Sequence, residues 1–214
     1  MVRLTGYDKA LMELRALTVE LGNLVSAHLG KAADVILNDA AQLDWRASDN
    51  VIDRLRDRIL NRSFEMMSLQ QLRPQDLHWI LGFQRIAQEL ERIADYACDL
   101  AELHALNSGQ SWPDRIRTMT EHLVHMFEET VEVMRADREF DRDVDEQDDL
   151  LDQGYAKLQE ELFNKKSGTD ANSGLILIMA RTLERMGDHV VNVAEMHMYA
   201  KTGKRRLKPR DPEN

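Results

Sequence analysis

Eight carboxylates stand out by their spacing: Asp49 and Asp53, Glu91 and Asp95, Asp148 and Asp152, Glu184 and Asp188. Each pair is four residues apart, so on a helix both acids lie on one face, about 40° from one another. Like charges at that spacing destabilise an isolated helix by about 0.2–0.5 kcal/mol per pair, so four such pairs call for an explanation. Hard cations supply one, because carboxylate oxygens suit Mg²⁺, Mn²⁺, Ca²⁺ or iron, and two pairs on adjacent helices can hold one or more ions. The alternative is a solvated acidic face, with Arg92 and Arg185 as neighbouring cations. Cys98, Leu177 and Val191 fall within about 20° of the same helical faces, so those faces are not uniformly polar.

Other candidates are weaker. His122, His125 and Glu129 share a helical stretch and have the donor types of a borderline metal site, although an exposed face explains them as well. His28 and His197 fall on apolar stripes and read as interior histidines, and Cys98 reads as a small buried side chain. The 11 methionines read as core filler. There is no Glu-x-x-His of a di-iron bundle, no glycine-rich phosphate loop, no G-x-S-x-G and no Cys/His nucleophile arrangement.

The elements that must position the acids are helices. The chain of 214 residues has only 4 prolines and 6% aromatics, and it is rich in strong helix formers. Its single cysteine excludes a disulfide framework and a cysteine-rich zinc module. A net charge of -10 argues against nucleic acid as a partner. No apolar run reaches the roughly 18 residues of a membrane span, and no signal peptide is visible, so a soluble cytoplasmic protein is expected.

Apolar periodicity predicts six helices: 6–43, 45–69, 74–106, a fourth capped by Ser111 with Pro113 in its first turn and running to 136, 139–165 and 171–201. Thr5 with Asp8 is a plausible first cap, and Pro74 opens the third helix. The stretch 107–110 is the clearest break. Lys204, Arg205, Arg206, Lys208 and Arg210 make a basic tail with little to bury, expected to be disordered or to touch an anionic membrane surface.

The chain is an internal duplication. A shift of 99 positions brings Leu24, Asp49, Asp53, Ile59 and Phe64 onto Leu123, Asp148, Asp152, Leu158 and Phe163. A shift of 93 brings Leu90-Glu91-Arg92-Ile93-Ala94-Asp95 onto Leu183-Glu184-Arg185-Met186-Gly187-Asp188. Asp141 and Asp145 would match Asp49 and Asp53 under a shift of 92, but only 99 also aligns the apolar positions on both sides. The fold class is therefore all-α: two tandem pseudo-symmetric three-helix bundles, residues 5–107 and 110–201, followed by the tail 202–214.

The segments Glu89 to Asp99 and Leu183 to Glu195, with Asp49 to Asp53 and Asp148 to Asp152, resemble the repeats of the PhoU family. That family pairs an E-R-x-x-D-x-x-x-N-type third helix with a D-x-x-x-D-type second helix, and the resemblance covers about residues 5 to 201. The first repeat departs from the pattern, with Ala94 for a frequent Gly and Asp99 for a frequent Asn. The resemblance implies a non-enzymatic accessory protein of the phosphate-specific ABC transporter. It would be a negative regulator of the phosphate-starvation regulon that bridges the transporter ATPase subunit and a sensor histidine kinase. It implies peripheral membrane association through those partners. It also implies multinuclear iron or zinc, or Mg/Mn, at Asp49, Asp53, Glu91, Asp95, Asp148, Asp152, Glu184 and Asp188. Long helical faces rich in Met and Leu make a homodimer plausible. A metal-homeostasis protein or a metal-dependent hydrolase is the competing expectation. The hydrolase would need an open coordination position and an acid–base group, which no second constellation supplies.

Overall fold

The computed structural model describes residues 6–40, 45–69, 72–107, 110–138, 140, 144–164 and 171–204. They form six helices: α1 (Gly6–Asn38), α2 (Trp45–Leu69), α3 (Pro74–Leu106), α4 (Asp114–Ala136), α5 (Val144–Asn164) and α6 (Ala171–Thr202). No strand occurs among the described residues. The cap expected at Thr5, the 165–170 connection and the tail from Arg205 onward lie outside the described residues.

Within each half the helices pack as a three-helix bundle: α1 with α2 and α3, and α2 with α3, repeated as α4 with α5 and α6, and α5 with α6. Across the halves each inner helix packs on its own counterpart, α1 on α4 and, most extensively, α3 on α6. The outer helices α2 and α5 therefore have one buried face each. Buried apolar residues of both halves form one continuous cluster, including Leu21, Ile59, Leu90, Leu123, Leu158 and Leu183. On α6, Met179, Leu183, Met186, Val190, Val193 and His197 are all buried. On α2, Ile52, Leu55 and Ile59 are buried, whereas Val51 and Phe64 are exposed. Their counterparts on α5, Leu150 and Phe163, are exposed too.

Three boundaries differ from the sequence expectation, one being the start of α5, which begins at Val144 rather than 139, with Phe140 not helical. The first helix stops at Asn38, not 43, because Asp39 takes a left-handed conformation (φ 52°) and the Ala40 N–H bonds back to the Asp34 carbonyl. Aspartate tolerates this conformation better than most residues. Asp137, also at φ 52°, ends α4 the same way. Each of these aspartates is held from the third helix of its half: His104 Nε2 lies 3.0 Å from Asp39, and Lys201 Nζ lies 3.5 Å from the Asp137 carboxylate.

The start of α4 also differs. Pro113, extended at ψ 147°, is the residue before the helix, and Ser111 does not cap it. Trp112 is buried and donates from its indole N–H to His104 Nδ1 at 2.9 Å, which pins the chain just before the helix. α3 opens as expected at Pro74, with the Asp76 carboxylate accepting from the Arg73 backbone N–H at 3.1 Å.

α3 and α6 come unusually close at Gly82. A Cβ there would stand 2.7 Å from the Ala200 Cβ, so the absence of a side chain sets the spacing of the two helices.

Candidate functional site: two acidic clusters

The fold brings the predicted acids together in two clusters. In the first, α2 supplies Asp49 and Asp53 and α3 supplies Glu91 and Asp95. Burial, and then the charges of Glu91, Asp49 and Asp53, push the Asp95 carboxyl up to about 6. Asp49 is raised as well, by burial and by Asp53. In the second cluster, α5 supplies Asp148 and Asp152 and α6 supplies Glu184 and Asp188. Burial and then the charges of Asp152, Asp188 and Glu184 push Asp148 up to about 8. Asp152 is raised by burial and by Asp188, and Glu184 by burial against the pull of Arg181. The 99-residue register fits the packing, since Asp148 and Asp152 face the α6 acids; Asp141, of the 92-residue register, lies outside the described residues.

The two clusters differ in what balances them. In the first, the Arg56 guanidinium reaches Asp53 at 2.9 Å, Glu91 at 3.4 Å and Asp57 at 3.4 Å. The residue 99 positions on is Tyr155, a neutral ring with the Arg181 guanidinium 5.4 Å from its centre. Arg181 pairs with one oxygen of Glu184 at 2.5 Å. The other oxygen, Oε2, and Asp148 Oδ1 are both buried without a hydrogen-bond partner. Gly187 makes room for this arrangement, since a Cβ there would collide with Asp148 Oδ1 and stand 2.5 Å from Leu151 Cδ1. Its counterpart in the first half is Ala94.

Sequence reasoning missed Arg56, Arg181 and the role of Gly187. The arginines were legible in principle, because each lies three residues from the acid it pairs with on the same helix. Arg92 and Arg185, considered as neutralisers, do little of that: Arg92 Nε is 4.0 Å from Glu91, and Arg185 lies over the Tyr96 ring at 5.5 Å. A further network also escaped notice. Glu89 is buried between α3 and α6 and accepts from Arg85 at 2.7 Å and from the Asn192 amide at 3.2 Å, with His189 Nδ1 at 2.6 Å.

The histidines divide. His28 and His197 are buried as expected, both with pKa values lowered by burial. Cys98 is only partly buried, with its Sγ 3.3 Å from His28 Nε2, and burial pushes its thiol up to about 12. His122 does not join His125: its Nε2 lies 2.7 Å from the Gln147 carbonyl, and the Gln147 amide donates to Glu129 at 3.1 Å. These contacts tie α4 to α5.

The donor sets are tests of fit for the metals the resemblance implies. Both clusters are all-carboxylate, which suits hard cations better than zinc, which favours nitrogen and sulfur. Among the described residues, no group of three or more His, Cys, Asp or Glu side chains is oriented to hold a metal ion. The unpartnered oxygens of Asp148 and Glu184, with no Cβ at Gly187, give the second cluster the donor chemistry of a hard-cation site without its converging geometry. The first cluster fits less well, because Arg56 already lies among its acids.

A duplicated six-helix scaffold with an i, i+4 carboxylate pair on the second and third helix of each half defines one class of protein. A family model described as the PhoU domain matches residues 18–103 and again 116–196. The chain belongs to the PhoU domain family. It is 31% identical to a Xylella fastidiosa protein named phosphate-specific transport system accessory protein PhoU homolog, over 96% of this chain and 89% of that one. It is 28% identical to the Thermotoga maritima PhoU homolog 1, over 95% of this chain and 92% of the relative. The crystal structure of PhoU from Pseudomonas aeruginosa shares the fold at a TM-score of 0.80 and 23% identity, covering 92% of this chain and 100% of that one.

Proposed function

We propose that this protein is a non-catalytic accessory protein of a phosphate-specific ABC transporter. It acts as a negative regulator of the phosphate-starvation response by linking the transporter's ATPase subunit to a sensor histidine kinase at the inner face of the membrane. The reading is carried by the family membership together with relatives of nearly equal length named for the phosphate-specific transport system. The architecture suits a bridge. The two repeats, residues 5–107 and 110–201, offer two related outer surfaces, on α2 and α5, on which Val51 and Leu150, and Phe64 and Phe163, stand exposed at matching positions. Two related surfaces allow one chain to hold two partners, or a second copy of itself, at once. Among the described residues no helix is long and apolar enough to cross a membrane.

Within this reading the acidic clusters tune the scaffold. When bound, a hard cation would supply positive charge that relieves the repulsion among the carboxylates. Asp148, Asp152, Glu184 and Asp188 are the residues that would hold it, with Gly187 leaving space and Arg181 fixing Glu184. A metal-handling role is the second reading, favoured by the buried unpartnered oxygens of Asp148 and Glu184.

The test is co-isolation from phosphate-replete membranes with a tagged form of this protein. Recovery of both the transporter ATPase and the kinase, reduced by Phe64→Asp or Phe163→Asp, supports the bridge. Recovery of neither, with the tagged protein folded and present, removes it.

A further inference from the structure

His104, near the end of α3, makes two contacts that together fix where its ring proton sits. The Trp112 indole N–H lies 2.9 Å from Nδ1 and can only donate, so Nδ1 is the bare, accepting nitrogen. The ring proton is therefore on Nε2, which lies 3.0 Å from Asp39 Oδ1 and donates to it. In this neutral form one ring ties the left-handed turn after α1 to the chain entering α4, and so joins the first repeat to the start of the second. The tie to Trp112 is made away from solvent, since Trp112 is 3% exposed and the His104 side chain 14% exposed. Asp39 is the anion that faces the ring. From α4, Arg117 reaches the same end of α1, where it donates to the Leu37 carbonyl at 2.8 Å.

The duplication shows that this arrangement is particular to the first half. The 93-residue shift carries His104 to His197, and the 99-residue shift carries Asp39 to Arg138. His197 Nε2 faces the Arg138 backbone carbonyl at 3.4 Å, and its ring meets Phe140 edge-on. Neither contact brings an anion or a side-chain donor to that ring.

We propose that His104 is a proton-operated latch between the two repeats. Protonation places an N–H on Nδ1, opposite the indole N–H, and two donors cannot share a hydrogen bond. The contact with Asp39 survives and gains charge, while the buried Trp112 indole loses its acceptor. Acid therefore keeps the tie to the end of α1 and releases the tie to the chain before α4. The latch belongs to the scaffold and does not depend on the transporter or the kinase.

The experiment is a ¹⁵N NMR acid titration of the full-length protein that follows the His104 ring nitrogens and the Trp112 indole N–H. His104→Gln and Trp112→Phe assign the two sets of signals, and circular dichroism checks the fold of every form across the range. Near neutral pH the ring is expected as the Nε2–H tautomer with Nδ1 bare. As the ring protonates, the Trp112 indole signal moves with the same midpoint. Its hydrogen then exchanges about tenfold faster relative to the Trp79 indole, the scale of one lost hydrogen bond. Asp39→Asn removes the anion that favours the charged ring and moves the shared midpoint to lower pH. His104→Gln abolishes the acid step in the indole signal. A ring protonated on Nδ1 near neutral pH, or a ring that titrates while the indole signal stays fixed, would overturn the latch. So would a ring that stays neutral down to acid unfolding.

Discussion

The ring of Tyr96 on α3 stands 5.5 Å from the ring of His189 on α6, and the 93-residue shift that relates the two helices carries one position onto the other. Contact between a residue and its own counterpart is the mark of an isologous interface, so the pseudo-twofold axis of the duplicated chain passes between these rings. Around the axis the symmetry is broken by chemistry. His189 meets buried Glu89 at 2.6 Å, and Arg185 covers the Tyr96 ring. The two halves are joined by α3 against α6 and α1 against α4, and the polar network at Glu89 fixes the register of the first of these.

Removing His189 should therefore loosen the joint. His189→Ala leaves the carboxylate of Glu89, 4% exposed at its side chain, with one fewer partner. The expected cost is about 1–3 kcal/mol, from an incompletely satisfied buried acceptor. Thermal unfolding near neutral pH reads it as a fall of several degrees. An unchanged midpoint would show that Arg85 and Asn192 suffice.

Much of this was legible in the sequence, and the reason is periodicity. Leu14, Leu21, Ile59, Leu90 and Leu183 recur at helical steps and all end up buried, so element type followed from spacing. The four acidic pairs were legible for the same reason, because i, i+4 fixes a shared face before any packing is known. What spacing does not encode is the partner across the interface. Arg56 reaches Glu91, and Tyr155 receives the Arg181 guanidinium, only through how α2 meets α3 and α5 meets α6. Glu89 was visible only as one more helix acid, until α6 placed His189 and Asn192 beside it. The end of α1 escaped because Asp39 in a left-handed turn looks, in sequence, like any polar residue in a helical run.

Close approach at Gly82 predicts a compensating pair. Gly82→Ala places a methyl 2.7 Å from the Ala200 Cβ and should cost about 1–3 kcal/mol through overpacking. Ala200→Gly in the same chain should recover most of it, and denaturant unfolding of the four proteins in the cycle measures the coupling. Additive effects would mean that α3 and α6 separate freely at this point.

The second cluster sets a pH dependence in chelator-treated protein. Asp148 has its carboxyl raised from 3.8 in the unfolded chain to about 8 in the fold, first by burial and then by its acidic neighbours. The folded state therefore holds a proton that the unfolded state releases, and the resulting stability is full below about pH 4 and lost as pH rises to about 8. Asp148→Asn removes this loss. Its unfolding midpoint should exceed that of the wild type at pH 8, with the gap closing toward pH 5. A gap that does not depend on pH would contradict the assignment.

Buried His28 and His197 act in the opposite range. Burial lowers both pKa values from 6.5, so their contribution is present above pH 6.5 and declines as pH falls below it. His197→Gln should flatten the acid limb of the stability profile. An acid limb as steep as that of the wild type would locate the transition elsewhere.

The central claim is that this chain silences the phosphate-starvation response. Its most direct measurement is a phosphatase reporter in phosphate-replete cells lacking the gene, complemented by the wild type and by the double variant Glu91→Ala/Glu184→Ala. The account predicts high output without the gene, silenced by the wild-type copy, with the double variant reporting whether the acidic clusters take part. Low output in the deleted cells, unchanged by restoring the gene, would contradict it.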